Sequence, residues 1–120
     1  MITQQPNYVA SALDLDELVD RCMGNLEFVD RVLTKFQQRF GEHLDELEQA
    51  VAQDDAERVA LLAHRLKGES ASVAAGALRD RAGEIEALGR AGRIASIPDC
   101  LQRLRGDWAR FTESVSTLDL

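Results

Sequence analysis

Residues 25–52 read NLEFVDRVLTKFQQRFGEHLDELEQAVA, an amphipathic stretch without proline in a chain of 120 residues. Its apolar residues recur every three or four positions, at Leu26, Val29, Leu33, Phe36, Phe40, Leu44, Leu47 and Val51. This spacing predicts one long helix with a single apolar face, capped at its start by Asn25 and broken near Gln53-Asp54. Such a helix must bury that face against other helices.

Similar patterns on both sides of this stretch predict four further helices. Their predicted bounds, in chain order, are about 14–23, 54–73, 75–90 and 96–118. Asp14, Asp54 and Ser96 are the predicted N-caps of the first, third and fifth helices. Because the connections are short, we predict an all-α fold: an antiparallel up-down-up-down four-helix bundle, with the short N-terminal helix capping one end.

Length and charge limit the function classes. Residues 1–12 are polar and predict a flexible N-terminal lead-in, and residues 13–120 form a single predicted domain. The formal net charge of -7 argues against nucleic acid and anionic membranes as partners. The N-terminus lacks a signal-peptide pattern and no stretch reaches membrane-spanning length, so we expect a cytoplasmic monomer. Cys22 and Cys100 are expected to be buried, reduced thiols.

The third predicted helix, AERVALLAHRLKGESASVAAG at residues 56–76, carries the candidate site. Since a helix advances ~100° per residue, Val59, Leu62 and Leu66 face the core and His64 points nearly opposite. The neighbours of His64 on this outer face are small or apolar: Ala60, Leu61, Gly68, Ala71 and Ala75, with Lys67 to one side. Exposed helix faces usually carry long charged side chains. The pattern therefore indicates a reachable imidazole in a smooth docking patch.

These residue types suit phosphoryl chemistry. A neutral imidazole nitrogen is a nucleophile toward a phosphoryl donor, and a lysine can offset the charge of the bound group. Gly68 in mid-helix costs about 1 kcal/mol relative to alanine, which indicates that something approaches the backbone closely there. We predict that Arg90, on the fourth helix, contributes at the rim of the docking patch.

The stretch Ala63-His64-Arg65-Leu66-Lys67-Gly68, followed by Ser70-Ala71-Ser72-Val73, resembles the histidine-containing phosphotransfer (HPt) domains of multistep phosphorelays. The Asp54-Asp55 turn and the phenylalanines of the second helix, Phe28, Phe36 and Phe40, are also similar to that family. One departure is Ala74, which stands where many relatives have a glycine, and it leaves the loop between the third and fourth helices undefined.

The resemblance implies a role for each site residue. His64 would be phosphorylated on Nε2, Lys67 would stabilise the phosphate, and Gly68 would give clearance beside the ring. Glu86 matches the polar residue on the next helix that bonds the other ring nitrogen in such domains. An acceptor at Nδ1 would hold the tautomer that leaves Nε2 free.

Two functions follow as hypotheses. The first is a histidine phosphocarrier that takes a phosphoryl group from a receiver-domain phospho-aspartate, or from a sensor histidine kinase, and passes it to another receiver. Such a domain is not an enzyme and needs no cofactor, since Mg²⁺ is expected on the partner receiver. The alternative is a helical interaction module that binds a receiver or kinase without phosphate, and a third is the phosphoryl-accepting domain of a chemotaxis kinase. The combination of His64, Lys67 and Gly68 favours the first.

The second histidine, His43, lies near the acidic residues Glu42, Asp45 and Glu46. Carboxylates around a single histidine on an exposed helix face are usually solvated. We interpret this group as a solvated face and predict no metal site.

Overall fold

The computed structural model describes residues 12–118, and these form five α-helices and one short 3₁₀ helix without a strand. The helices are α1 (Leu15–Arg21), α2 (Leu26–Ala52), α3 (Ala56–Ser72), α4 (Gly76–Arg90) and α5 (Ile97–Ser116), with the 3₁₀ helix at Ile94–Ser96. The predicted all-α class is confirmed. Of the predicted flexible lead-in, all but Ala12 lies outside the described residues.

The four long helices form a closed bundle. Each of α2, α3 and α4 packs against the helix that follows it, and α5 returns to α2. The α3–α4 contact is the most extensive. Short connections make successive helices antiparallel neighbours, which is the predicted arrangement.

Helix α1 closes the end of the bundle where α3 turns into α4. The backbone N–H of Asp14 donates to the carbonyl of Ala74 at 3.0 Å, and Arg21 Nη1 donates to the carbonyl of Ala71 at 2.7 Å. Leu18 is buried in the core from this side. The short first helix therefore caps the bundle, as predicted.

The predicted stripe of α2 supplies much of the core: Val29, Leu33, Phe36, Phe40, Leu44 and Leu47 are all buried. Phe40 stacks on Trp108 of α5 with ring centroids 4.4 Å apart. This aromatic contact joins α2 to α5, the first and last long helices, and so closes the bundle. Leu26, at the start of the stripe, is 48% exposed and is not part of the core.

The helix starts follow the capping residues, with two corrections. The Asp14 and Asn25 side chains cap α1 and α2 as predicted. The prediction of Asp54 as the cap of α3 is wrong by one residue, because the Asp55 carboxylate accepts the N–H of Arg58 at 3.1 Å. Asp54 instead has a φ of 54° and reverses the chain after α2. Ser96 is the N-cap residue of α5, as predicted, but its side chain makes no capping hydrogen bond, and a 3₁₀ helix leads into α5 there.

Ala74 defines the loop between α3 and α4 by adopting a left-handed conformation with a φ of 59°. This conformation costs an L-residue roughly 1–2 kcal/mol. Ala74→Gly is therefore expected to raise the free energy of unfolding by about 0.5–1 kcal/mol, after the larger entropy of glycine in the unfolded chain is subtracted. Denaturant unfolding measures the change. The control is Ala109→Gly on the exposed side of α5, which should lower stability by about 1 kcal/mol. A lower free energy of unfolding in Ala74→Gly than in the wild type would contradict backbone strain at Ala74.

Candidate functional site

His64 lies on α3 with 63% of its side chain exposed to solvent. Its Nδ1 is 2.9 Å from Oε2 of Glu86 on the facing helix α4. An ionised carboxylate only accepts hydrogen bonds, so in the neutral ring Nδ1 carries the proton and Nε2 keeps its lone pair. Within residues 12–118, no group bonds Nε2. The geometry leaves a nucleophilic nitrogen on an exposed ring of defined tautomer.

Glu86 is the centre of a cluster of cations. The residue is 7% exposed, and its Oε1 lies 2.9 Å from Lys67 Nζ while its Oε2 lies 2.7 Å from Arg90 Nη2. The hydrogen bonds from Lys67 and Arg90, with a smaller one from His64, outweigh burial and lower the pKa of Glu86 to about 2. Glu86 is therefore ionised at neutral pH, as its role as acceptor requires.

This lowered pKa predicts a specific acid sensitivity. The pKa of Glu86 is about 2 in the folded chain against an ordinary 4.5, so the carboxylate stabilises the fold above about pH 4.5 and loses that effect as the pH falls toward 2. The stability difference between wild type and Glu86→Gln is expected to shrink across this range. Denaturant unfolding at several pH values measures it. Glu113→Gln, on an exposed position of α5, is the control, and a difference for Glu86→Gln that stays constant with pH would contradict the prediction.

Lys67 belongs to this cluster, and Gly68 follows it on α3. The Lys67 side chain crosses α4 at Gly83, where a Cβ would lie 3.4 Å from Lys67 Cδ, and it ends on Glu86. Gly68 is exposed, and a Cβ built on it would meet no atom within 4 Å. The packing of this chain therefore does not require a glycine at position 68.

The structure corrects part of the predicted docking patch. Leu61 is 65% exposed and Ala71 is partly buried, but Ala60 and Ala75 are buried. Ala60 faces α4, where its backbone closely approaches Gly89. Ala75 is not on α3 at all: the helix ends at Ser72, so the helical projection does not extend to it. The prediction that Ala60 and Ala75 lie on the exposed face around His64 is therefore wrong.

Arg90 is more than the rim residue predicted from sequence. Its side chain is 61% exposed, but the guanidinium bonds Glu86 through both Nε and Nη2. The spacing of four residues between Glu86 and Arg90 was the sequence signal for this pair. Gly83 and Gly89, three residues to either side of Glu86, were also missed as neighbours of the site.

The interpretation of His43 as part of a solvated face is wrong. Only 14% of its side chain is exposed, and its Nδ1 lies 2.9 Å from Oε2 of Glu69 on α3. The pair joins α2 to α3. Over residues 12–118, no group of three or more His, Cys, Asp or Glu side chains could hold a metal ion.

The fold and the site define an antiparallel helical bundle that carries a solvent-exposed, carboxylate-bound histidine. Residues 31–114 match the model of the Hpt domain family, which covers more than two thirds of the chain. The chain belongs to this family, whose members are histidine phosphotransfer modules of two-component phosphorelays. Hpt domains are phosphocarriers rather than classical enzymes, and they interact with receiver domains and kinases.

Two other comparisons complete this result. Neither a curated protein nor a solved structure matched the chain. In the part of the chain that the structure describes, no helix is long and apolar enough to span a membrane.

Proposed function

We propose that this domain is a histidine phosphocarrier that accepts a phosphoryl group on Nε2 of His64 and passes it to the aspartate of a receiver domain. The observation that carries the proposal is the exposed His64 ring, whose Nδ1 is bonded at 2.9 Å to the buried Glu86. A surface histidine without a function has no need of a buried carboxylate that sets its tautomer.

The chemistry of the step follows from this arrangement. Nε2 of His64 attacks the phosphorus of a receiver's aspartyl phosphate, the N–P bond forms, and the P–O bond to the aspartate breaks with its electron pair leaving on the carboxylate. The Nδ1 proton stays in its hydrogen bond to Glu86, which stabilises the positive charge that develops on the ring. The reverse attack by another receiver's aspartate returns the imidazole.

Lys67 and Arg90 supply positive charge in the same cluster as the His64 ring. Both cations bond Glu86, the carboxylate that also bonds Nδ1 of His64. Each has an exposed side chain that can turn toward a phosphoryl group with two negative charges. Mg²⁺ belongs to the partner receiver in this scheme, and the domain itself needs no cofactor.

The docking face consists of Leu61, Gly68 and the partly buried Ala71, all on α3 around His64. Beside it lies an open groove of about 590 Å³ between α3 and α4, lined by Ala56, Glu57, Ala60, Leu61, Gly89, Arg90 and Gly92. Its mixed apolar and charged lining suits a partner loop at the edge of the contact. A partner that closes over Gly68 reaches the ring of His64, one helical turn away.

Phosphotransfer profiling tests this function. The purified protein is incubated with a panel of phosphorylated receivers and with sensor kinases, and acid-labile, alkali-stable phosphate on the domain is measured. Labelling by at least one donor, followed by transfer to a receiver, is the expected result. A receiver that binds the domain without any transfer would support the interaction module instead.

A further inference from the structure

Three residues of α4, Gly83, Glu86 and Gly89, are spaced by three and face α3. Glu86 carries the contacts to His64 and Lys67. The two glycines lie one turn to either side of it, and a Cβ built on either one would meet atoms of α3. The helix that holds the carboxylate thus approaches α3 through positions without side chains.

Gly89 marks a close approach of α4 to α3. A Cβ at this position would lie 3.0 Å from the carbonyl oxygen of Ala56, 3.0 Å from the nitrogen of Ala60 and 3.2 Å from its Cα. All three are backbone atoms of α3, so they can move only if the whole helix moves. Any other residue at position 89 would therefore push α4 away from α3 by a few tenths of an ångström, one turn from Glu86.

At Gly83, the atom of α3 that a Cβ would contact belongs to a side chain and not to the backbone. A Cβ there would touch Lys67 Cδ at 3.4 Å, and a longer side chain would occupy the path along which Lys67 reaches Glu86. Lys67 is flexible, so a substitution at position 83 would displace the cation without separating the helices.

We propose that Gly89 and Gly83 are positioning residues of the phosphotransfer site. Gly89 sets the distance between α3 and α4 at which Glu86 bonds Nδ1 of His64, and Gly83 leaves room for Lys67 to reach the same carboxylate. The 2.9 Å contact between Nδ1 and Glu86 leaves little tolerance, since N–H···O hydrogen bonds in proteins span about 2.7–3.2 Å. The effect on transfer rate rests on the proposed function, whereas the effect on the His64 ring does not.

Gly89→Ala is the main test, with Gly41→Ala as its matched control. Gly41 is a helical glycine of α2, and a Cβ there would meet no atom within 4 Å. In Gly89→Ala we expect nitrogen NMR of the neutral His64 ring to show a mixture of tautomers where the wild type shows Nδ1–H. Carbon NMR should show a higher pKa for the Glu86 carboxyl, and phosphotransfer should slow by roughly ten- to a hundredfold. Gly41→Ala should leave all three unchanged.

Gly83→Leu is the second variant, because its clash is with a flexible side chain and the fold is expected to persist. Loss of the Lys67 contact should raise the Glu86 pKa and slow transfer, while the His64 tautomer stays as in the wild type. If Gly89→Ala does not fold, the fold itself requires this glycine, which refutes its role as a positioning residue of the site, and Gly83→Leu decides the role of Gly83. Folded variants with the wild-type tautomer, Glu86 pKa and transfer rate would overturn it. A wild type that accepts no phosphate would refute the proposed function, yet the NMR measurements would still judge the role of the glycines.

Discussion

His64→Gln is expected to abolish phosphoryl labelling by every donor and to leave the helical content unchanged. Glutamine removes the proposed nucleophile, and the amide cannot replace the lone pair of Nε2. The side chain at this position is 63% exposed, so the core does not depend on it. Radiolabelled phosphotransfer and circular dichroism on the same sample measure the two effects.

His43→Gln is the matched control, since His43 is the other histidine of the chain. It bonds Glu69 between α2 and α3, so its loss is expected to lower stability and to leave labelling intact. Labelling that survives in His64→Gln and disappears in His43→Gln would move the site. Labelling that survives in both single variants would rule out a single phosphohistidine.

Gly68→Gln is expected to have opposite effects on stability and on transfer. A Cβ at this exposed position meets no atom within 4 Å, so the domain accommodates a side chain there and gains up to about 1 kcal/mol of helix stability. A partner that closes over the ring four residues away meets the added bulk, and transfer should fall to background. Thermal unfolding and transfer from a cognate receiver measure the two quantities.

Gly41→Gln serves as the control for helix stability, because its glycine is also free of contacts at the Cβ position. It should stabilise the domain without changing transfer. Leu61→Asp tests the same docking face by a different change, replacing a side chain that is 65% exposed with a charge. We expect weaker receiver binding and little change in stability. Wild-type transfer in Gly68→Gln would show that clearance is not the reason for the glycine.

The helices were predictable because their signals are local. Apolar residues at intervals of three or four mark α2 and α5, and the side chains of Asp14 and Asn25 cap helices within three residues of themselves. The start of α3 was predicted one residue too early because the local signal is ambiguous there. Asp54 and Asp55 are both suitable caps, and which of them reverses the chain depends on how α2 and α3 pack.

Periodicity also predicted that His64 lies on the outer side of α3. It did not predict which residues border His64 on that side. Ala60 is small enough to be exposed or buried, and only the close contact with Gly89 assigns it to the interior. The projection through Ala75 failed because α3 ends three residues earlier, at Ser72. Composition cannot tell a small residue on a docking surface from one in a helix crossing.

The sequence alone determined the bundle and the exposed side of α3 that carries His64, Lys67 and Gly68, since periodicity and capping act over one or two helical turns. The tertiary structure decided the charge cluster. Glu86 lies 22 residues from His64 in sequence, and its distance to the ring depends on how closely α3 and α4 pack. That packing depends on the absence of a Cβ at position 89, where one would lie 3.0 Å from backbone atoms of α3, and no local pattern in the sequence encodes this close approach.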